Sequence, residues 1–143
     1  VMNVGLAVEP ACAVSVTDLN FGTVINNSGS PQSNATAVVT VNCAANVAYN
    51  VSLDQGQNFN NSFGGSRNLR HGQGGLVPYG LYKDAAYTMQ WGDSDLANTY
   101  PQGTSLAATG TGADQAHTVY GTVNASNVSP GALTDAVNVI VDF

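Results

Sequence analysis

Two cysteines, Cys12 and Cys43, have side chains that could perform redox, metal-binding or cross-linking chemistry. A zinc site would need further cysteine or histidine ligands at short spacing, whereas His71 and His117 stand apart in the sequence from both cysteines. A thiol redox site would need a Cys-x-x-Cys motif, which the sequence lacks. We therefore predict a structural disulfide between Cys12 and Cys43. Such a bond implies an oxidising compartment, such as the periplasm or the cell exterior.

Three aspartates and two histidines are the other candidates for chemistry. Asp84, Asp93 and Asp95 carry the carboxylates that calcium prefers, but their spacing does not match an EF-hand loop. Aspartates in loops more often cap turns, and we interpret them in that way. His71 and His117 are far apart in sequence, and no Gly-x-Ser-x-Gly pattern surrounds the serines. The sequence therefore predicts no metal site, no cofactor and no catalytic site, and we do not expect an enzyme.

A group of aromatic residues lies close together in the sequence: Tyr79, Tyr82, Tyr87, Trp91 and Tyr100. One interpretation is a surface on which sugar rings stack, which would make the chain a binding module. The interpretation that we favour is a mixture of core aromatics and contacts between subunits, because aromatic side chains dominate the energetics of both cores and interfaces.

Charge excludes two classes of partner. Charged residues make up only 8% of the chain, the net charge is −6, and Arg67, Arg70 and Lys83 are the only fixed cations. Nucleic-acid binding needs several cations to neutralise phosphates, and so does binding to an anionic membrane surface. No apolar run approaches the roughly 20 residues of a transmembrane helix, so we expect no membrane insertion. The sequence begins at Val1 without a basic segment, and we interpret it as a mature form whose signal peptide has been removed.

Apolar residues alternate with period two, and Gly, Asn, Ser and Pro interrupt them about every ten residues, which predicts many short strands in one antiparallel β-sandwich or barrel. The predicted strand regions are 12–23, 35–43, 47–54, 76–84, 87–91, 105–109, 117–123 and 133–143. Residues 26–34 are predicted to form a loop, and residues 55–75 a longer one with a short strand around 67–71. We find no domain boundary.

The N-terminal segment is apolar at every second position, with Met2, Val4, Leu6 and Val8 separated by small or polar residues. A strand of this kind is an aggregation hazard when it is exposed. It therefore pairs either within its own domain or with another molecule, as in donor-strand complementation of pilins.

Several short stretches carry a resemblance to a known family. In chain order they are CAVS from Cys12, LNFGT from Leu19, VTVNC up to Cys43, YNVSLD from Tyr49, LVPYGLYKD from Leu76, WGD from Trp91, TVYG from Thr118 and PGALTD from Pro130. On these stretches, which extend over most of the chain, the sequence resembles the spore coat protein U family. That family includes the major subunits of archaic chaperone–usher pili.

The resemblance implies an all-β, immunoglobulin-like antiparallel sandwich that lacks its final strand. Residues 1–10 would form the donor strand segment, and residues 11–143 the pilin domain. A periplasmic chaperone would fill the groove temporarily, an outer-membrane usher would assemble the subunits, and the N-terminal segment of a neighbouring subunit would replace the chaperone. The implied partners are thus identical subunits in a homopolymer, the chaperone and the usher. The implied localisation is a cell-surface fibre, secreted through the periplasm.

Both ends of the chain are assigned roles in this assembly. The donor side chains are expected to be those of even number: Met2, Val4, Leu6 and Val8. The acceptor groove is expected to lie beside the terminal strand and to be lined in part by four side chains on one face of it: Val137, Val139, Val141 and Phe143. The predicted function is a structural pilus subunit that supports adhesion and biofilm formation. The alternatives are a spore or cell-coat structural protein, and a surface-binding adhesin module.

Overall fold

A computed structural model describes residues 1–8, 11–23, 32–60, 66–93, 103–125, 128 and 130–143. Within them lie nine β-strands: β1 (Cys12–Val16), β2 (Gln32–Cys43), β3 (Ala48–Leu53), β4 (Arg67–His71), β5 (Leu76–Tyr82), β6 (Leu106–Thr109), β7 (Gln115–Asn124), β8 (Leu133–Thr134) and β9 (Val139–Asp142). These residues include no helix that is long and apolar enough to cross a membrane.

The strands form two sheets. One sheet has six strands in the order β1-β2-β7-β5-β4-β8, and the other has three in the order β6-β3-β9. Neighbouring strands are antiparallel in both sheets. The chain therefore folds as the immunoglobulin-like antiparallel β-sandwich that the sequence predicts.

The core lies between the two sheets, and strand periodicity explains which residues fill it. Along β2, Ala37, Val39, Val41 and Cys43 are buried, while the residues between them are more exposed. Successive side chains of a strand point to opposite faces, so this alternation directs one apolar set inward. The buried side chains of β3 are Tyr49, Val51, Ser52 and Leu53. Trp91 is also buried, and its Nε1 donates a hydrogen bond to the carbonyl oxygen of Val51 at 2.9 Å.

The disulfide predicted between Cys12 and Cys43 is present, and it joins β1 to β2. The two cysteines are directly opposite each other in the register of these strands. On the side away from the disulfide, β1 ends at Val16, and Thr17 makes the next contacts with β2. The Thr17 hydroxyl accepts a hydrogen bond from Val38 N at 2.8 Å, and Thr17 N donates to Val38 O at 3.0 Å. The predicted strand region 12–23 is therefore a strand only in its first part.

The prediction of a single strand over 133–143 is wrong. Its first residues form β8, which pairs with β4 in the larger sheet, and its last residues form β9, which pairs with β3 in the smaller sheet. Residues 135–138 cross between the sheets. This crossing is held by hydrogen bonds from Asn138 N to Asp54 Oδ1 and from Gln57 N to Asp135 Oδ1, both 3.0 Å long.

The predicted strand over 87–91 is also wrong. Asp84 caps a turn here, because its carboxylate accepts hydrogen bonds from the backbone N–H groups of Thr88 and Met89. Only isolated bridges follow, at Gln90 and Trp91. The short strand expected around 67–71 is β4. Of the predicted loop 26–34, residues 32–34 belong to β2, and the others lie outside the described residues.

Candidate functional site: an open apolar groove

A groove of about 920 Å³ opens along one side of the sandwich. We call its two sides the first wall (residues 16–23, which begin at the last residue of β1) and the second wall (residues 131–137, which include β8). The floor is formed by side chains from both sheets: Ala37, Val39, Leu53, Leu69, Val77, Tyr79, Leu81, Val119 and Val123. Natural protein interiors contain few voids larger than a water molecule. A space of this size next to core residues therefore means that the described part of the sandwich leaves its core open on this side.

The first wall is attached to the sheet by backbone and side-chain contacts. Ser33 Oγ donates a hydrogen bond to Phe21 O. Gly121 lies beneath Leu19 and Phe21, and a β-carbon at position 121 would be 2.8 Å from Leu19 Cδ1 and 3.1 Å from Phe21 Cζ. Because glycine has no β-carbon, the two apolar side chains can pack directly onto β7.

The second wall is attached through Asp135. Its Oδ1 accepts hydrogen bonds from Gln57 N at 3.0 Å and from Asn58 N and Nδ2 at 3.1 Å. Its Oδ2 accepts a hydrogen bond from the hydroxyl of Tyr79 at 2.5 Å. One carboxylate therefore ties the crossing between β8 and β9 to both the floor and the loop after β3.

Asp54, the residue that follows β3, makes the reciprocal attachment. It accepts hydrogen bonds from Asn138 N at 3.0 Å and from Asn138 Nδ2 at 2.8 Å. Asp54 thus binds the segment 135–138, while Asp135 binds the loop after β3. This exchange of contacts holds the second wall in one position relative to the smaller sheet.

Arg67 lies buried behind the floor, with 1% of its surface exposed. Its guanidinium donates hydrogen bonds to the carbonyl oxygens of Asp54 at 2.8 Å, Leu53 at 3.0 Å and Trp91 at 2.9 Å. Burial lowers the pKa of Arg67 to about 10. Within the described residues, Nη1 of this side chain has no hydrogen-bond partner. These contacts connect β4 of the larger sheet to the end of β3 in the smaller one.

Tyr79 stays neutral on the floor of the groove. Burial raises its pKa, and the hydrogen bond to Asp135 raises it further. The phenol is therefore a hydrogen-bond donor to Asp135 throughout the physiological range, and the arrangement has a structural rather than an acid–base character.

The predicted donor side chains are exposed. Met2 is 86% exposed, Val4 and Leu6 are both 89% exposed, and Val8 is 83% exposed. None of these four side chains is thus buried by its own domain, although all of them are large and apolar.

Of the four residues predicted to line the acceptor groove, two line it in the structure and two do not. Val137 and Val139 line the groove. Val141 and Phe143 are not among its lining residues: Val141 is half-buried against the core opposite Val51, and Phe143 is 62% exposed. Sequence reasoning did not identify the first wall, although Leu19 and Phe21 show the spacing of two that marks one strand face.

The two histidines take part in separate structural contacts. His71 is buried, and its Nδ1 accepts a hydrogen bond from Gln73 N at 3.0 Å, which leaves Nε2 to donate to Pro130 O at 2.9 Å. His117 Nε2 lies 2.8 Å from the hydroxyl of Tyr49, and burial lowers the pKa of His117.

The part of the chain that the structure describes, which includes Asp84 and Asp93, holds no group of three or more His, Cys, Asp or Glu residues that could hold a metal ion. The hydroxyl of Thr88 donates a hydrogen bond to Asp84 and lowers the pKa of that carboxyl. Asp95 lies outside the described residues.

The aromatic group does not form one surface. Trp91 is in the core and Tyr79 is in the groove. Tyr82 and Tyr87 contact each other edge to face, with ring centroids 5.6 Å apart, and Tyr100 lies outside the described residues.

Comparisons with known proteins agree with this fold. The family model for the Spore Coat Protein U domain matches residues 1–140. A similar solved structure is the CsuC–CsuE chaperone–tip adhesion subunit pre-assembly complex from archaic chaperone–usher Csu pili of Acinetobacter baumannii, with a TM-score of 0.64 and 25% sequence identity. The match covers 95% of this chain and 40% of the other chain, so this chain spans less than half of that chain's length. The comparison with curated proteins gives no match. Because the family model covers nearly the whole sequence, the chain belongs to the Spore Coat Protein U domain family.

Proposed function

We propose that this chain is a structural subunit of a chaperone–usher pilus and that it polymerises by donor-strand complementation. The N-terminal segment of one subunit inserts into the groove of the next, between the first and second walls. The observation that carries this proposal is the complementarity within one chain. A groove of about 920 Å³ leaves the core open, and an alternating apolar segment has four side chains that are 83–89% exposed.

The dimensions of the segment support insertion. An extended strand from Met2 to Val8 spans roughly 20 Å, and the first wall offers eight consecutive residues beside which such a strand can lie. Side chains of even number point to one face of such a strand, so that Met2, Val4, Leu6 and Val8 enter the groove together. A shift of one residue would direct Asn3, Gly5 and Ala7 inward instead, and this difference specifies the register.

Burial of the donor side chains supplies the main favourable free energy of insertion. Fully burying four such side chains contributes on the order of 6–12 kcal/mol before the cost of ordering the segment. Backbone hydrogen bonds along the walls add to this value, as in other cases where a strand is added to a sheet.

Insertion into the same molecule's groove is the competing arrangement, and the chain order argues against it. The N-terminal segment leaves β1 at Cys12, whereas the first wall leaves β1 after Val16. The disulfide fixes Cys12 to β2. The segment would thus have to reverse its direction along the whole of β1 to reach its own groove.

The proposal also includes two further partners, a periplasmic chaperone and an outer-membrane usher. A groove lined by half-buried apolar side chains such as Leu19, Leu69 and Val137 needs protection before assembly, which the periplasmic chaperone provides, and the outer-membrane usher brings subunits together. The resulting homopolymer is a cell-surface fibre that supports adhesion and biofilm formation. Its role in attachment is tested by comparing the surface binding of cells that express the wild-type subunit or the Leu6→Asp variant described next.

The test of polymerisation is the Leu6→Asp variant, with Asn3→Asp as the matched control. Both changes add one negative charge to the segment, but only Leu6 belongs to the inward-facing set. We expect Asn3→Asp to form fibres that are visible by electron microscopy and stable in denaturant, and Leu6→Asp to remain monomeric in size-exclusion chromatography. Leu6→Asp fibres as stable as those of the control would overturn donor-strand complementation.

A further inference from the structure

Tyr79 contacts both walls of the groove with a single side chain. Its ring lies edge to face against Phe21 of the first wall, with centroids 6.1 Å apart and planes inclined by 67°. Its hydroxyl donates a hydrogen bond to Asp135 of the second wall at 2.5 Å. Because Tyr79 belongs to β5, near the middle of the larger sheet, both walls are tied to the same point on the floor.

The two residues that Tyr79 contacts, Asp135 and Phe21, are themselves held in place by further contacts. Asp135 cannot shift toward the groove without breaking its hydrogen bonds to Gln57 and Asn58. Phe21 packs over Gly121 and accepts the hydrogen bond from Ser33 through its carbonyl oxygen. The separation of the walls at this level is therefore set by the reach of one tyrosine.

We propose that Tyr79 is a positioning residue that braces the acceptor groove at the width a donor strand requires. This inference rests on the proposed function. In a subunit without a bound donor strand, half-buried apolar side chains such as Leu19, Leu69 and Val137 line the groove, so the hydrophobic effect favours closure of the walls over them. Tyr79 opposes this closure because its contacts with Phe21 and Asp135 hold each wall to the floor.

Tyr79 raises the fraction of subunits whose groove is open and able to bind a donor strand. When only a fraction of the molecules is competent to bind, the apparent dissociation constant rises in inverse proportion to that fraction. Loss of the brace therefore slows association in the same proportion. It leaves dissociation unchanged, because an inserted strand itself keeps the walls apart.

The experiment uses the full chain with Leu6→Asp as a non-polymerising background and a dye-labelled peptide of residues 1–8 as the probe. Tyr79→Phe in this background keeps the ring against Phe21 and removes only the hydroxyl. Tyr82→Phe is the matched control, because it removes a hydroxyl from the same strand three residues away. Stopped-flow fluorescence measures association and dissociation separately, and thermal unfolding by circular dichroism shows that each variant is folded.

We expect Tyr79→Phe to slow association by about tenfold, the scale of one hydrogen bond to a charged group, with dissociation within about twofold of the parent protein. Tyr82→Phe should change neither rate. Unchanged association in Tyr79→Phe overturns the brace while leaving donor-strand insertion intact. Faster dissociation with unchanged association also overturns it, since Tyr79 would then hold the inserted strand. A folded parent protein that does not bind the peptide at all overturns the proposed function, and the brace with it.

Discussion

Gly56 lies directly against the carboxylate of Asp135, and a β-carbon at position 56 would overlap that carboxylate. The backbone of Gly56 has a φ of +79°, in the left-handed region that side chains disfavour. Its N–H donates a hydrogen bond to Asp54 Oδ1 at 2.9 Å. The loop after β3 therefore fits against the second wall of the groove only with glycine at this position.

Gly56→Ala should lower the free energy of unfolding by about 2–4 kcal/mol, from backbone strain together with weakened hydrogen bonds at Asp135. Urea unfolding followed by circular dichroism measures this change. Gly72→Ala is the control, because its β-carbon would have no heavy atom within 4 Å and its φ is not in the left-handed region. Equal stability of the two variants would contradict the close contact between Gly56 and Asp135.

Gly121→Ala should displace the first wall, because the added methyl group would collide with Leu19 and Phe21. Overpacking of this kind costs roughly 1–3 kcal/mol of stability. We also expect weaker binding of the peptide of residues 1–8 to the Leu6→Asp background, measured by fluorescence anisotropy. Normal affinity in Gly121→Ala would show that the position of the first wall does not matter for binding.

Removal of the disulfide by the double change Cys12→Ala and Cys43→Ala should destabilise the domain by about 3–4 kcal/mol, as expected for a cross-link between residues 31 positions apart. β1 depends on this bond, because Val14 and Val16 are 43% and 50% exposed and contribute little burial. Denaturant unfolding of the wild-type and double-variant proteins gives the difference. An unchanged midpoint would mean that the β1–β2 ladder holds β1 without the disulfide.

Stability should fall as the pH rises above about 10. Burial and the hydrogen bond to Asp135 raise the pKa of Tyr79 in the folded state. Above the unfolded-state pKa, the unfolded chain therefore releases the phenolic proton while the folded chain retains it, and the free energy of unfolding decreases. Burial of Tyr49 raises its pKa and acts in the same direction.

Urea unfolding of the wild type and Tyr79→Phe at about pH 8 and about pH 11 isolates the part of the pH-dependent loss of stability that is due to Tyr79. Tyr79→Phe should lose less stability between the two pH values than the wild type. The lowered pKa of Arg67 has the opposite effect on stability. Because the charge of an ionised Tyr79 raises the pKa of Arg67, its removal in Tyr79→Phe strengthens this opposite effect and enlarges the expected difference between the two proteins. An identical pH dependence of the two proteins would show that the phenol of Tyr79 is not held in its protonated form by the fold.

Local patterns were sufficient for part of the fold. The alternation along 35–43 predicts which side chains of β2 are buried, and the pairing of Cys12 with Cys43 follows from the absence of other ligand or redox patterns. The error at 133–143 has a physical cause. Alternation specifies which face of a strand is apolar, but it does not specify the strand with which it pairs. β8 pairs with Arg70 and His71 of β4 in the larger sheet, whereas β9 pairs with β3 in the smaller sheet.

The sequence by itself determined the all-β class, the disulfide and the alternating faces of the strands, because these depend on composition and on neighbours a few residues apart. Tertiary structure alone decided that residues 16–23 form one wall of the groove and what holds both walls, although Val137 and Val139 were expected in its lining. Tyr79 has the pattern of an ordinary strand aromatic, and its position between Phe21 and Asp135 depends on contacts with residues 56 or more positions away in the sequence. Such contacts form only when the two sheets and the crossing between them are brought together, and local periodicity carries no information about them.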